Sequence, residues 1–250
     1  MSVFITGASS GLGEAVARLL SKKHDLILNG RDEERLAAAG KACSENGKQI
    51  LLFPYDLSKV DLLAKELSTF IKMRGIQIDT FIHFAGLTEV LPISKTKYTV
   101  GLEVMNVNYF AATEIISTLT KRRVNSDALK NIILVSSLAA SYGTTHQPHY
   151  CSSKGAVEAL SKALARDLAP RIRVNTVTPG NFQTRMWNTP LNENVTEQPW
   201  NPATLLPVEG PEAVANVVDF LVSDQSSYLT GVNIPVDGGE RFNIGRYHEK

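Results

Sequence analysis

The chain has 250 residues, of which 43% are hydrophobic and 20% charged, and its formal net charge is +1. This is the balance of an ordinary globular protein, long enough for one large α/β domain or two small ones, with no global field to draw it to nucleic acid or a membrane surface. Cys43 and Cys151 stand in unrelated contexts and exclude a disulfide framework or a cysteine-rich metal site.

The chain enters a strand at once, at Ser2 to Ile5. A helix is predicted from Leu12 to Ser21, a strand from Asp25 to Asn29, and a helix from about Asp32. Ile50 to Pro54 reads as a strand and Ser58 to Lys72 as a helix. Thr80 to Phe84 is the fourth strand, followed by one long helix from Val100 to Lys121. Asn131 to Val135, Arg173 to Val177 and Val232 to Val236 are further strands, with helices at Tyr150 to Leu168 and Pro211 to Val222. The strands are continuously apolar rather than alternating, as in a sheet covered on both faces. Strand-helix alternation with right-handed crossovers predicts a doubly wound parallel sheet of about seven strands, Rossmann-like, with helices on both faces. No repeat or composition shift marks a second domain, so residues 1–250 are expected to form one domain. The N-terminus lacks the pattern of a signal peptide, and no stretch approaches the roughly 18 apolar residues of a membrane span. A cytoplasmic protein is expected.

Thr6-Gly7-Ala8-Ser9-Ser10-Gly11-Leu12-Gly13 follows the first strand and opens a helix. Glycine lets a backbone turn tightly and approach a diphosphate, and the helix start offers free amides and a positive dipole end. In this place the string reads as a dinucleotide site. The second strand ends Leu28-Asn29-Gly30-Arg31. An acidic residue there would bind the ribose hydroxyls of NAD. Gly30 takes its place, and the Arg31 guanidinium suits a 2′-phosphate, so NADP(H) is favoured over NAD(H). The alternative for Arg31 is a solvated cation paired with Asp32 or Glu34. Asp56, after the third strand, is placed to accept from an adenine amino group; its alternative is a cap before Ser58.

Tyr150 and Lys154 are four residues apart and share a helix face, with Ser137 thirteen residues before Tyr150. A free phenol has a pKa of about 10, and lowering it by about three units takes roughly 4 kcal/mol of phenolate stabilisation. A neighbouring ammonium in a partly dry site is expected to supply it.

These residues together resemble the single-domain branch of the short-chain dehydrogenase/reductase family. The markers are Thr6-Gly7-x-x-x-Gly11-x-Gly13, Asp56, Asn108, Ser137, Tyr150-x-x-x-Lys154, Pro179-Gly180 with Thr184, and Asp237-Gly238-Gly239. Each is weak alone; in this order they are specific. The resemblance implies an NADP(H)-dependent oxidoreductase interconverting a carbonyl and an alcohol, a 3-oxoacyl thioester being the leading substrate. It implies that Tyr150 exchanges the proton, Ser137 holds the carbonyl oxygen, Lys154 binds the nicotinamide ribose and acidifies Tyr150, and Asn108 holds a relay water beside Lys154. Pro179, Gly180, Phe182 and Thr184 would line the nicotinamide side. Ser9, Ser10, Leu12, Leu57, Ala85 and Gly86 would complete the cofactor contacts. The rival is a silent nucleotide sensor or scaffold; such relatives typically lack the Tyr or Lys, and all four catalytic positions are present here.

The sequence departs from the family at His83-Phe84-Ala85-Gly86, where Asn-Asn-Ala-Gly is common. A bracing role for His83 through a ring nitrogen is favoured over a catalytic one. The segment at about 181–210, with Met186, Trp187 and Trp200, is expected to be a substrate lid. His146 and His149 flank the active segment and are candidates for substrate contact. Lys121-Arg122-Arg123 and Arg171 are either a solvated helix end or a dock for an acidic acyl carrier protein. Ala156, Ala159 and Ala163 make a small-residue stripe suited to packing on the sheet. Val157, Leu160, Leu164 and Leu168 form a second apolar stripe, for which the family's partner is another subunit, in a homotetramer or homodimer. No ligand spacing supports a metal site.

Overall fold

The computed structural model describes residues 1–182 and 203–243. Its strands are β1 (Ser2–Thr6), β2 (Asp25–Gly30), β3 (Ile50–Pro54), β4 (Thr80–His83), β5 (Asn131–Val135), β6 (Arg173–Pro179) and β7 (Asn233–Val236). They form one sheet in the order β3-β2-β1-β4-β5-β6-β7, every neighbouring pair parallel. The helices are α1 (Gly11–Leu20), α2 (Glu33–Ser44), α3 (Val60–Arg74), α4 (Tyr98–Met105), α5 (Ala111–Leu119), α6 (Arg122–Asn125), α7 (Ala139–Tyr142), α8 (Pro148–Asp167) and α9 (Glu212–Val222). This is the predicted doubly wound fold, with each principal boundary within a few residues of its expected place.

Alternation along a strand sends successive side chains to opposite faces. In β1, Phe4 joins a core with Phe53, Phe81, Leu63, Leu67, Ile115 and Val157, under α3, α5 and α8. Its neighbours Val3 and Ile5 join a second core with Val16, Leu20, Leu28, Val214 and Leu221, under α1, α2 and α9. The continuous apolar strands therefore face two dry layers, as expected.

Two expectations are corrected. The helix predicted across residues 100–121 is not continuous. Between α4 and α5, Asn106–Phe110 forms a wider turn, in which the Ala111 N–H reaches back five residues to the Asn106 carbonyl. Hydrophobic periodicity does not register one inserted residue, whereas insertions of this kind recur at functional sites. On α8, the face laid on the sheet is Ser153, Lys154, Val157, Ser161 and Ala165. Ala159 and Ala163 are exposed instead, while Leu160, Leu164 and Leu168 pack at the edge of the first core. Polar Lys154 is buried with the Val135 carbonyl at the end of β5 as its partner and Ser153 with Asn108 and the Tyr150 carbonyl, which a hydrophobicity pattern does not reveal, while the buried Ser161 hydroxyl has no hydrogen-bond partner among the described residues.

Candidate active site

The sheet reverses its winding between β1 and β4, and both run their carboxyl ends to the same edge. In sheets of this kind ligands bind in the crevice outside those ends. Gly7, Gly30, Asp56, Ala85, Ser137 and Gly180 all fall at or just past strand ends on this edge.

The glycine turn is built for close approach. Gly7 has φ +65°, and a Cβ on it would come within 2.6 Å of the Ala85 nitrogen. A Cβ on Gly13 would come within 2.3 Å of the Gly7 carbonyl oxygen. The turn, α1 and the loop after β4 therefore touch backbone to backbone. Ser10 stands at the N-cap of α1 in extended geometry with no side-chain cap bond. By contrast, the Asp32 carboxylate caps α2 by accepting from the Arg35 N–H at 3.0 Å. An uncapped helix start beside a glycine cradle fits a diphosphate. Ser9, Ser10, Gly11 and Leu12 are all half-buried along it.

At the end of β2, a Cβ on Gly30 would lie 2.9 Å from the Ser9 Oγ, so a larger residue is crowded there. Arg31 is exposed. Asp32 bonds Arg35 at 2.6 Å rather than Arg31, so that pairing alternative is not realised. Asp56 accepts from the Ser58 N–H at 3.0 Å through one oxygen, a turn bond that precedes the Lys59 N-cap of α3 rather than the helix cap weighed above. Leu57 beside it is buried in the first core.

The His83 substitution is a brace. The fully buried ring places Nε2 3.1 Å from the Val107 carbonyl and Nδ1 2.9 Å from the Thr6 hydroxyl. A carbonyl only accepts, so Nε2 carries the hydrogen and Nδ1 accepts from Thr6. The Thr6 oxygen in turn accepts the Ala85 N–H at 3.2 Å. Burial first, and then the charge of Lys154, push the imidazole pKa down to about 3. A neutral ring is what this chain of bonds requires.

Asn108 sits within the widened turn, fully buried. Its Oδ1 accepts from the Leu87 N–H at 2.7 Å, and its Nδ2 donates to the Leu87 carbonyl at 3.0 Å and the Ser153 hydroxyl at 2.8 Å. The amide thus ties the loop after β4 to α8.

Ser137 and Tyr150 come together: the Ser137 hydroxyl lies near enough to the phenol to oppose a rise in its pKa, while it accepts from the Ala139 N–H at 3.2 Å. That rise is the main effect and corrects the expected acidification. Burial is its first cause, with Cys151 and Glu89 adding to it. The Lys154 Nζ lies 5.8 Å from the Tyr150 ring centroid and donates to the Val135 carbonyl at 2.8 Å. Burial pushes this amine down to about 8. One ammonium hydrogen is used, leaving two donors for a ligand.

Glu89 gave no signal in the sequence. It is fully buried, and its carboxylate accepts from the His149 N–H at 2.6 Å and the Tyr150 N–H at 3.1 Å, at the start of α8. The His149 ring packs against Gly101 of α4, away from a substrate role, and His146 is exposed.

Pro179 is buried, Gly180 half-buried, and Phe182 packs at the edge of the second core. Beyond them, Asn181 donates to Glu240 from its backbone at 2.7 Å and its side chain at 2.6 Å. Leu205 and Leu206 donate to the Gly238 carbonyl at 2.8 and 3.0 Å. Both ends of the 181–210 segment are therefore tied to the same Asp237–Glu240 turn. Thr184, Arg185, Met186, Trp187 and Trp200 lie outside the described residues. A cavity of about 330 Å³ opens between the Gly180 turn and Thr204–Glu209; Tyr150, Ser137 and Lys154 are not among its walls.

Lys121 and Arg123 line a separate cleft with Lys65 and Lys72, while Arg122 and Arg171 pair with Asp127. These residues precede β5 and β6, so within one chain they lie at the opposite edge of the sheet from Tyr150. No helix among the described residues is long and apolar enough to cross a membrane.

A family model described as Enoyl-(Acyl carrier protein) reductase matches residues 7–240. The 3-oxoacyl-(acyl-carrier-protein) reductase FabG of Rickettsia conorii is 33% identical over 237 residues, 94% of each chain. A short-chain type dehydrogenase/reductase from Mycobacterium marinum superposes with a TM-score of 0.84 at 28% identity, covering 96% of this chain and 94% of that one. Carveol dehydrogenase from Mycobacterium avium, solved in complex with NAD, gives 0.83 at 25% identity, covering 96% and 97%.

Proposed function

The chain belongs to the short-chain dehydrogenase/reductase family and is an oxidoreductase interconverting carbonyls and alcohols with a nicotinamide cofactor; we propose that it is an NADPH-dependent reductase of a 3-oxoacyl thioester or similar β-keto compound. The observation that carries the catalytic part is the Ser137 hydroxyl beside the Tyr150 phenol, with Lys154 one helical turn further along.

The residues present fit the cofactor. Gly7, Ser9, Ser10, Gly11, Leu12 and Gly13 would hold the diphosphate, Arg31 the 2′-phosphate, and Asp56 and Leu57 the adenine. Ala85, Gly86, Tyr150 and Lys154 would face the ribose of the nicotinamide, and Pro179, Gly180, Phe182 and Thr184 its ring and carboxamide. When bound, the cofactor supplies the hydride. Ser137 donates to the carbonyl oxygen and orients it. Tyr150 delivers the proton to that oxygen from its phenol. A phenol pushed above its ordinary value is in the donor form at neutral pH, which suits reduction. Lys154 spends its remaining donors on the ribose hydroxyls and sets the position of Tyr150. Asn108 holds the loop after β4 and α8 at a fixed separation.

NADPH over NADH rests on the crowded Gly30 and on Arg31 being exposed without Asp32 as its partner. The substrate class rests on the FabG relatives. As part of the same reading, residues 1–250 form one cytoplasmic domain closed by a lid at 181–210, and the exposed alanine stripe of α8 meets a second copy in a tetramer or dimer. An acyl carrier protein, if it is the thioester's vehicle, would meet the basic edge around Lys121 and Arg123.

The test is NADPH absorbance with a panel of ketones, including a 3-oxoacyl thioester on coenzyme A and on carrier protein, with Tyr150→Phe as control. Consumption that disappears in the variant supports the reading. Tight NADPH binding without turnover, unchanged by the variant, would replace it with a sensor.

A further inference from the structure

We propose that Glu158 is a positioning residue for the reaction: its carboxylate pins Ser136 against α8 and so sets Ser137, the next residue, opposite Tyr150. This rests on the reading of Ser137 and Tyr150 as the pair that handles the carbonyl oxygen.

Tyr150, Lys154 and Glu158 follow one another at intervals of four along α8, so they stand on one face of the helix. That face meets three consecutive residues where β5 ends. The Lys154 Nζ donates to the Val135 carbonyl at 2.8 Å, and the Glu158 Oε1 accepts from the Ser136 hydroxyl at 2.8 Å. The Ser137 hydroxyl lies beside the Tyr150 phenol. Glu158 thus makes the third contact between helix and strand end, and the other two hold the catalytic groups.

The same carboxylate oxygen accepts from the Asn233 side-chain amide at 3.0 Å, and the Asn233 Oδ1 accepts from the Thr178 hydroxyl at 2.6 Å. Asn233 opens β7, and Thr178 lies on β6 just before Pro179. One oxygen therefore gathers β5, β6 and β7 under α8. Glu158 forms no ion pair with the described residues, so these neutral donors are what its carboxylate serves.

Ser136 is the last fixed point before Ser137. It is buried, its N–H donates to the Val177 carbonyl at 2.9 Å, and beyond it the chain leaves the sheet for α7. Its hydroxyl has one hydrogen and two acceptors in reach, Glu158 at 2.8 Å and the Lys154 carbonyl at 3.3 Å. The carboxylate is the stronger acceptor and stands closer, so it takes the hydrogen. Ser136 is then spent. The Ser137 hydroxyl accepts from the Ala139 N–H, which leaves its own hydrogen for the carbonyl oxygen. A misplacement of about 1 Å at such a point is enough to slow a reaction about a hundredfold.

The experiment compares Glu158→Leu, Glu158→Gln, Ser136→Ala and the Glu158→Leu/Ser136→Ala double variant in the whole enzyme. It reads kcat and KM with a 3-oxoacyl thioester of coenzyme A, and NADPH Kd by fluorescence titration. Glu158→Leu removes the acceptor, so kcat should fall about tenfold while NADPH Kd stays within about twofold. Ser136→Ala should fall alike and the double variant no further, because one bond is lost in all three. Glu158→Gln keeps an oxygen for both donors and should return to within about threefold of wild type. A folded Glu158→Leu protein with the wild-type kcat overturns the proposal. So does a Kd that weakens in step with kcat, or losses that multiply in the double variant. If Glu158→Leu does not fold, the other two single variants decide: loss in Ser136→Ala with recovery in Glu158→Gln supports the proposal, and any other pair of results overturns it. A wild type that does not turn over the thioester, or keeps its rate as Tyr150→Phe, sinks the reductase reading itself and this inference with it.

Discussion

The His83 ring nitrogen Nδ1 lies 2.9 Å from the Thr6 hydroxyl, at a place where β4 and β1 are paired in register. Through Val107 on the other side, the imidazole locks the two central strands to the turn that carries Asn108. The family's usual asparagine would offer a shorter amide; here a longer, ionisable ring spans the gap. Burial holds the folded pKa at about 3, against about 6.5 in the unfolded chain. The unfolded state therefore binds the extra proton, and this residue's contribution to stability falls as pH drops from about 6.5 towards 3. At about 1.4 kcal/mol per pH unit, wild type should lose about 2 kcal/mol more than His83→Asn between pH 7 and pH 5. Chemical denaturation at the two values measures it; equal losses would show that His83 is not the titrating group.

Tyr150→Phe should remove turnover, by about a thousandfold or more, with NADPH affinity changed little. Lys154→Ala should weaken both, since its free donors are assigned to the ribose. Isothermal titration and initial rates separate the two patterns. A Tyr150→Phe protein that keeps its rate would take the phenol out of the mechanism.

Arg31→Ala should weaken NADPH by about tenfold to a hundredfold, the worth of one charge-assisted contact, and leave NADH nearly unchanged. Competitive binding with both cofactors is the check. Equal losses for the two would mean that Arg31 does not read the 2′-phosphate.

Asn108→Leu removes three buried hydrogen bonds and leaves the Leu87 N–H and carbonyl without their partner. The expected cost is about 3 kcal/mol or more, since stranding a buried polar group costs more than forming its bond contributes. Ser153→Ala keeps the Leu87 clamp and should cost only about 1 kcal/mol. Denaturation midpoints of the two variants give the comparison; similar losses would mean that the Leu87 clamp is not what Asn108 contributes.

The sheet, its helices and the glycine turn were legible from the residues alone. Apolar runs of five or six residues, helical periodicity and Gly7-x-x-x-Gly11-x-Gly13 are local properties, written in consecutive positions. So was the Tyr150–Lys154 pair, because four residues is one helical turn. What only the folded chain decided depends on partners far apart in sequence. Nothing beside Glu89 announces that it caps a helix sixty residues on. The break at Asn106–Phe110 costs one backbone register and no change of composition. The Tyr150 phenol, expected to be acidified by its neighbour, is instead held up by burial, because dehydration acts on every charge in the site, including the Lys154 amine meant to oppose it. Solvent exclusion and long-range charge are sums over the whole packed structure, and no stretch of sequence contains them.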